Sequence, residues 1–219
     1  MRGLAEAFAA AGFAVELPRL PGHGTTVDDM ITTGWDDWTA AALAAYDDLA
    51  GRTESVVVAG LSMGGALTAL VAARRPGVAG IVCVNPAIDV GDATADFARD
   101  QLKAGTDRIP AIGGDLADPD ATEPAYDAAP LAPLVSFHEG TVELRRELAG
   151  ITCPVLIMTS PQDHVVPPAN SDALAEAVSG PVERVTLERS YHVATLDHDK
   201  ELIAEQAVAF ARRVVGATG

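Results

Sequence analysis

A mainly parallel β-sheet covered by helices on both faces is the architecture this sequence predicts, and three observations predict it. Short runs of apolar, often β-branched residues alternate with stretches of good helix formers along the chain, which is the signature of strand–helix crossovers. Gly or Pro closes several of those segments, at Gly12, Pro18, Gly51 and Pro76-Gly77,. The 219 residues, 48% of them hydrophobic, suffice for one domain with a full core,.

In order, residues 1–11 read as a helix with Leu4, Phe8 and Ala11 on one face, stopped by Gly12,. Residues 13–17 read as a strand ended by Pro18, and Arg19-Leu20-Pro21-Gly22-His23-Gly24 as a loop dense in turn residues,. Residues 35–50 form a helix with Thr33 as its N-cap, Gly51 at its end, and Trp35, Trp38, Leu43, Tyr46 and Leu49 on its periodic face,. A strand at 55–59 and a helix at 63–74, closed by Pro76-Gly77, follow. Residues 79–84 are a buried strand. From 86 to 150 the pattern weakens, with helical pieces at 94–103 and 142–148 among frequent Pro, Gly and Asp. A strand (154–160), a helix (168–178), a strand (182–187) and a last helix (199–215) complete the chain.

Chemistry concentrates at Gly60-Leu61-Ser62-Met63-Gly64. A G-x-S-x-G pentapeptide between a strand and a helix has a mechanical meaning, because the backbone turns sharply and pushes the serine hydroxyl into the open. The helix N-terminus that follows favours a developing oxyanion there. Sheets of this kind carry active residues at the carboxyl ends of their strands. Ser62 follows one such end, Asp163 another, and His192 lies in the loop after a third. Three separate stretches thus bring a serine, an acid and a histidine to one edge of the sheet.

With those positions placed, the chain resembles the α/β-hydrolase family, whose order is likewise serine, acid, histidine. The likeness runs from residue 1 to about 215. Four stretches resemble the branch of small bacterial carboxylesterases and monoacylglycerol-lipase-like enzymes: Leu20-Pro21-Gly22-His23-Gly24; Ala59-Gly60-Leu61-Ser62-Met63-Gly64-Gly65; Gln162-Asp163-His164-Val165-Val166-Pro167; and Ser190-Tyr191-His192-Val193-Ala194-Thr195-Leu196-Asp197. Tyr191 departs from the glycine expected before the histidine, and a tighter pocket or a hindered turn would follow.

The resemblance implies an α/β-hydrolase-type sheet in a single domain over 1–219, with a small cap inserted at about 86–150. It implies Ser62 as nucleophile, His192 as the base that takes its proton and later returns it to the leaving alcohol, and Asp163 as the group that orients and steadies the imidazole. The Met63 main-chain N–H would be one oxyanion donor. Apolar cap residues such as Ile88, Phe97, Leu131, Leu134 and Phe137 would line an acyl site or, more simply, pack the cap onto the sheet; substrate-binding residues are not identified. The expected activity is hydrolysis of short- to medium-chain carboxylic esters, monoacylglycerols among them, through an acyl-serine. Thioesterase, C–C hydrolase and peptidase chemistry could use the same triad. A catalytically impaired or non-catalytic α/β-hydrolase-like binding protein is the alternative of another class.

The family's second oxyanion N–H comes from a loop before the first helix, and no strand or His-Gly loop precedes Met1 in this sequence,. Only five strands are read where the family usually has eight, and the resemblance implies a missing neighbour between 13–17 and 55–59. The expectation is an N-terminally truncated form, with the natural start about 25–40 residues upstream, from strands of about 5–6 residues and short loops; the alternative is a genuine short form repaired by new pairing or a partner chain.

Other classes are disfavoured. The formal charge of −16 argues against nucleic acid and anionic membranes as partners,. No apolar run reaches the length of a membrane span, and no signal peptide is read, so the cytoplasm is the expected compartment,. Cys83 and Cys153 read as small buried hydrophobes without a catalytic motif,. No spacing suggests zinc, no glycine pattern a phosphate loop or a dinucleotide, and no cofactor is expected,. His164 and His23 are minor candidates, His138 and His198 read as peripheral, and the Asp pairs 28–29, 36–37 and 47–48 as solvated faces.

Overall fold

The computed structural model describes residues 1–111 and 113–216. Residue 112 and the last three residues of the expected 1–219 domain lie outside the described residues. The elements run α1 (Arg2–Ala10), α2 (Val27–Ile31), α3 (Trp35–Ala50), β1 (Val56–Leu61), α4 (Met63–Arg74), β2 (Val78–Val84), α5 (Asp92–Lys103), β3 (Arg108–Pro110), β4 (Ala128–Pro130), α6 (Leu131–Glu147), β5 (Val155–Thr159), α7 (Ala169–Ala177), β6 (Val182–Thr186) and α8 (Lys200–Gly216).

Four strands form one parallel sheet in the order β1-β2-β5-β6. Side chains alternate across a strand, so the two central strands feed two cores. Ile81, Cys83, Val155 and Ile157 join the core beneath α3 and α4, with Trp38, Tyr46 and Leu70. Val82, Val84, Leu156 and Met158 point the other way, to Leu4 and Phe8 of α1 and to Ile203, Ala207 and Phe210 of α8. A strand buried on both faces has no polar side to show, which is why these runs read as unbroken apolar sequence. Helix α4 is buried from Gly65 to Ala72. Its small residues Gly65, Ala66, Ala69 and Ala72 admit that close packing, and the strand–helix junction before Ser62 is held rigidly as a result,.

Residues 13–17 form no ladder, contrary to the strand expected there. They run alongside the free edge of β1 across a cleft of about 370 Å³ that both segments line, with a second of about 210 Å³ adjoining. Paired strands lie about 4.8 Å apart, and no ladder joins these two segments. Propensity alone offered residues 13–17 nothing to pair with.

Three further differences have local causes. The N-cap of α3 is Gly34, not Thr33; Asp37 accepts the Gly34 N–H at 2.9 Å, while the Thr33 hydroxyl donates to the Met30 carbonyl and closes α2. The short helix α2, capped by the Thr26 hydroxyl on the Asp29 N–H, escaped the sequence reading, as did the β3–β4 pair. Helix α6 spans 17 residues where the sequence predicted only 142–148. Pro133 sits in its first turn, where no intrahelical N–H is needed,. Gly140 is there because the Trp35 indole packs against it, and an added Cβ would lie 2.2 Å from that ring.

Candidate active site

The strand β1 ends at Leu61, and Ser62 turns the chain into α4 with φ 57° and ψ −121°. A serine at positive φ is strained, and it persists only where the surroundings over-determine it. Here they do. The Ser62 N–H donates to the Val84 carbonyl at 3.0 Å, and its carbonyl accepts from Gly65, Ala66 and Ala87 at 2.8, 3.2 and 3.1 Å. The flanking glycines are required by contact: a Cβ on Gly60 would lie 2.0 Å from the Gly64 carbonyl oxygen, and one on Gly65 2.9 Å from Pro86 Cα. Gly64 faces open space instead.

The expected constellation assembles. His192 Nε2 stands 2.9 Å from Ser62 Oγ, and its Nδ1 stands 2.7 Å from Asp163 Oδ2. Both partners are sequestered, the side chains of His192 and Asp163 being 9% and 2% exposed. The second oxygen of Asp163 accepts the N–H groups of Val165 and Val166 at 2.8 and 2.7 Å, so the carboxylate cannot swing. A carboxylate only accepts, which places the imidazole proton on Nδ1 and leaves the Nε2 lone pair facing the serine O–H. The arrangement can draw a proton from Ser62 and hold the resulting imidazolium beside a fixed negative charge. Met63 opens α4 immediately after Ser62, which puts its N–H at the helix N-terminus,.

Four residues that the sequence did not single out hold this geometry. Asn85 follows β2 with φ 42° and is 2% exposed. Its Nδ2 donates to Ser160 Oγ and to the carbonyls of Tyr191 and His192 at 3.0, 3.3 and 2.9 Å, and its Oδ1 accepts the Ser160 N–H at 2.8 Å. Ser160 Oγ in turn donates to the Tyr191 carbonyl at 2.9 Å. Asp197, fully buried, accepts the N–H groups of Ala117, Asp118, Tyr191 and His198. Burial pushes its carboxyl up, but those four bonds prevail and hold it below the usual carboxylate range,. Asp115 accepts from the N–H groups of His164 and His192. An Asn between an apolar strand and a proline (Val84-Asn85-Pro86) was the available signal for the first, and Asp197 closes the family-like stretch that starts at Ser190; Ser160 and Asp115 carry no local pattern.

The remaining histidines sort clearly. His164 is exposed and pairs through Nδ1 with Asp115 Oδ1 at 2.8 Å. His23 stacks edge-on against Trp38 at 5.6 Å and bonds the Pro21 carbonyl through Nδ1. His138 is not peripheral but buried, with Nε2 3.4 Å from Asp92. Tyr191 has no positive φ, so its turn needs no glycine, and its ring lies edge-on to His164 at 4.6 Å. Glu123, whose carboxyl burial pushes up, feels the opposing pull of His192 and the Met1 amino group. Both cysteines are free, and burial pushes the Cys83 thiol up to about 12, where it is inert,. Among the described residues no group of three or more His, Cys, Asp or Glu could hold a metal ion, and no helix is long and apolar enough to cross a membrane.

A strained serine on a strand-to-helix turn, with a histidine and an acid from later strand ends, is the site of an α/β-hydrolase. The sequence profile described as "Alpha/beta hydrolase family" matches residues 1–206, and the chain belongs to that family. It is 41% identical over 221 residues to the thermostable monoacylglycerol lipase of Bacillus sp. (strain H-257), covering 99% of this chain and 86% of that protein. It is 20% identical to a carboxylesterase of Bacillus subtilis (strain 168), covering 93% of this chain and 82% of that one. A solved structure from work on LipS and LipT, two metagenome-derived lipolytic enzymes, superposes with a TM-score of 0.93 at 40% identity, covering 97% of this chain and 87% of that one.

Proposed function

We propose that this chain is a serine esterase that cleaves short- to medium-chain carboxylic esters, monoacylglycerols among them, through an acyl-serine intermediate. The observation that carries the reading is the relay of two short contacts, His192 Nε2 to Ser62 Oγ at 2.9 Å and His192 Nδ1 to Asp163 Oδ2 at 2.7 Å. Similarity to a monoacylglycerol lipase and to lipolytic enzymes over nearly the whole chain supports the substrate class. In this reading Ser62 attacks the ester carbonyl as His192 takes its proton, and Met63 N–H stabilises the oxyanion. The imidazolium then protonates the departing alcohol, and a water activated by the same histidine frees the acid. Asp163 keeps the imidazole in the required tautomer throughout. Residues 86–150 serve as the cap; Ile88, Leu131 and Phe137 are buried in packing, whereas Phe97 is exposed. The cytoplasm belongs to the same reading and rests on the two unpaired cysteines, which a reducing compartment preserves,.

A fluorophosphonate probe tests it. The wild type should label and turn over p-nitrophenyl esters and monoacylglycerols, and Ser62→Ala should do neither. A folded wild-type protein that neither labels nor hydrolyses any ester of the series would refute the reading in favour of a non-catalytic binding protein.

A further inference from the structure

We infer that Asp115 is a positioning residue that fastens the loop of the acid to the loop of the histidine and thereby holds His192 against Ser62. This rests on the triad reading above and assigns to the segment between β3 and β4 a part in the catalytic apparatus.

The geometry is specific. One oxygen, Asp115 Oδ2, accepts the main-chain N–H of His164 at 3.0 Å and that of His192 at 3.1 Å. The first belongs to the residue directly after Asp163, and the second to the histidine itself. The two loops come from different strand ends, β5 and β6, and a single carboxylate oxygen bridges them. The other oxygen, Oδ1, meets His164 Nδ1 at 2.8 Å, which keeps the carboxylate from rotating. The Asp115 carbonyl accepts the Val193 N–H at 3.1 Å, so main chain and side chain both grip the histidine loop. Two and three residues on, the N–H groups of Ala117 and Asp118 donate to Asp197 at 2.8 and 2.9 Å, tying the same segment to the far end of that loop.

The Asp115 side chain is 13% exposed, so water competes poorly for these donors,. Burial pushes its carboxyl up, and the bonds from His164 and His192 outweigh that and hold it below the usual carboxylate range. It is therefore a charged acceptor at working pH, and such bonds are about twice as strong as neutral ones. Removing it leaves two main-chain donors without an acceptor, one on His192 itself and one on the residue directly after Asp163. A misplacement of about 1 Å far from the chemistry can cost about 10²-fold in rate.

The test uses the full chain, with kcat expressed per active site titrated by a fluorophosphonate. Asp115→Ala should lower kcat by about 10- to 100-fold with KM changed less than about threefold. Asp115→Asn should stay within about threefold of wild type in kcat, because its amide oxygen can accept the same two N–H groups. A residue serving stability alone would reduce the titratable fraction and the melting temperature while leaving kcat per titrated site unchanged, and that result overturns the inference. So does an Asp115→Asn protein as slow as Asp115→Ala. If the alanine variant fails to fold, Asp115→Glu replaces it. A longer carboxylate keeps the charge but moves the acceptor, so its kcat should fall at least about tenfold below that of the asparagine variant, and equal values overturn the inference. Ser62→Ala in the same series separates the two levels. Turnover surviving in that variant defeats the triad reading itself, whereas an inert Ser62→Ala beside a fully active Asp115→Ala defeats only the role of Asp115.

Discussion

Replacing Asn85 by aspartate alters almost no volume yet should be among the most damaging changes available to this fold. The Asn85 amide nitrogen faces three acceptors, Ser160 Oγ and the Tyr191 and His192 carbonyls, at 3.0, 3.3 and 2.9 Å. In N85D that donor becomes an ionised oxygen pointed at two carbonyls in a site 2% exposed. An uncompensated buried charge costs about 3–5 kcal/mol. At about 2–4 °C per kcal/mol for a chain of this size, the melting temperature should fall by roughly 10 °C. The sign of the pH dependence follows. Burial raises the native pKa of the new carboxyl above its unfolded value of about 3.9, so the loss is absent below that pH. It grows as pH rises until the raised native value is passed, and then stays constant. A protonated carboxyl retains one O–H donor, so N85D should approach wild-type stability in acid. Thermal melts of N85D and wild type from pH 4 to pH 8, taken as a difference, measure this. Equal stability at pH 8, or a difference that does not vary with pH, would refute the reasoning.

Three further outcomes are expected. Asp163→Asn should leave the fold intact, since the Val165 and Val166 N–H groups keep an acceptor, but it supports the wrong imidazole tautomer and should lower kcat by about 10⁴, read by ester turnover,. Gly60→Ala would drive a Cβ to 2.0 Å from the Gly64 carbonyl oxygen, which is backbone and cannot yield, so a loss of at least about 3 kcal/mol should appear in urea unfolding,. Asp197 has a depressed native pKa, so its stabilisation is present above about pH 3.9 and lost as pH falls through the lower native value; Asp197→Asn should flatten that part of the acid-unfolding curve,.

Much of the fold was legible because the forces behind it are local. Strands β2 and β5 announce themselves as apolar runs because both faces are buried, and α3 by its periodic Trp35, Trp38 and Tyr46. The site was legible because the turn at Ser62 demands Gly60 and Gly65 by direct contact. What misled the reading was equally physical. Residues 13–17 have strand composition, but a ladder needs a neighbour within reach, and a cleft separates them from β1. Pro133 and Gly140 disguised α6, although one occupies a first turn and the other makes room for an indole. His138 looked peripheral because nothing in its neighbours reveals that α6 turns it inward.

The sequence by itself determined the class of sheet, the serine turn and the identity of the three residues now found in line, because each depends on residue type over a short span. Only the tertiary structure decided how that line is held. Asn85, Ser160, Asp197 and Asp115 act through hydrogen bonds between residues up to 107 positions apart, and donors so far apart in sequence meet only when the sheet sets three strand ends side by side.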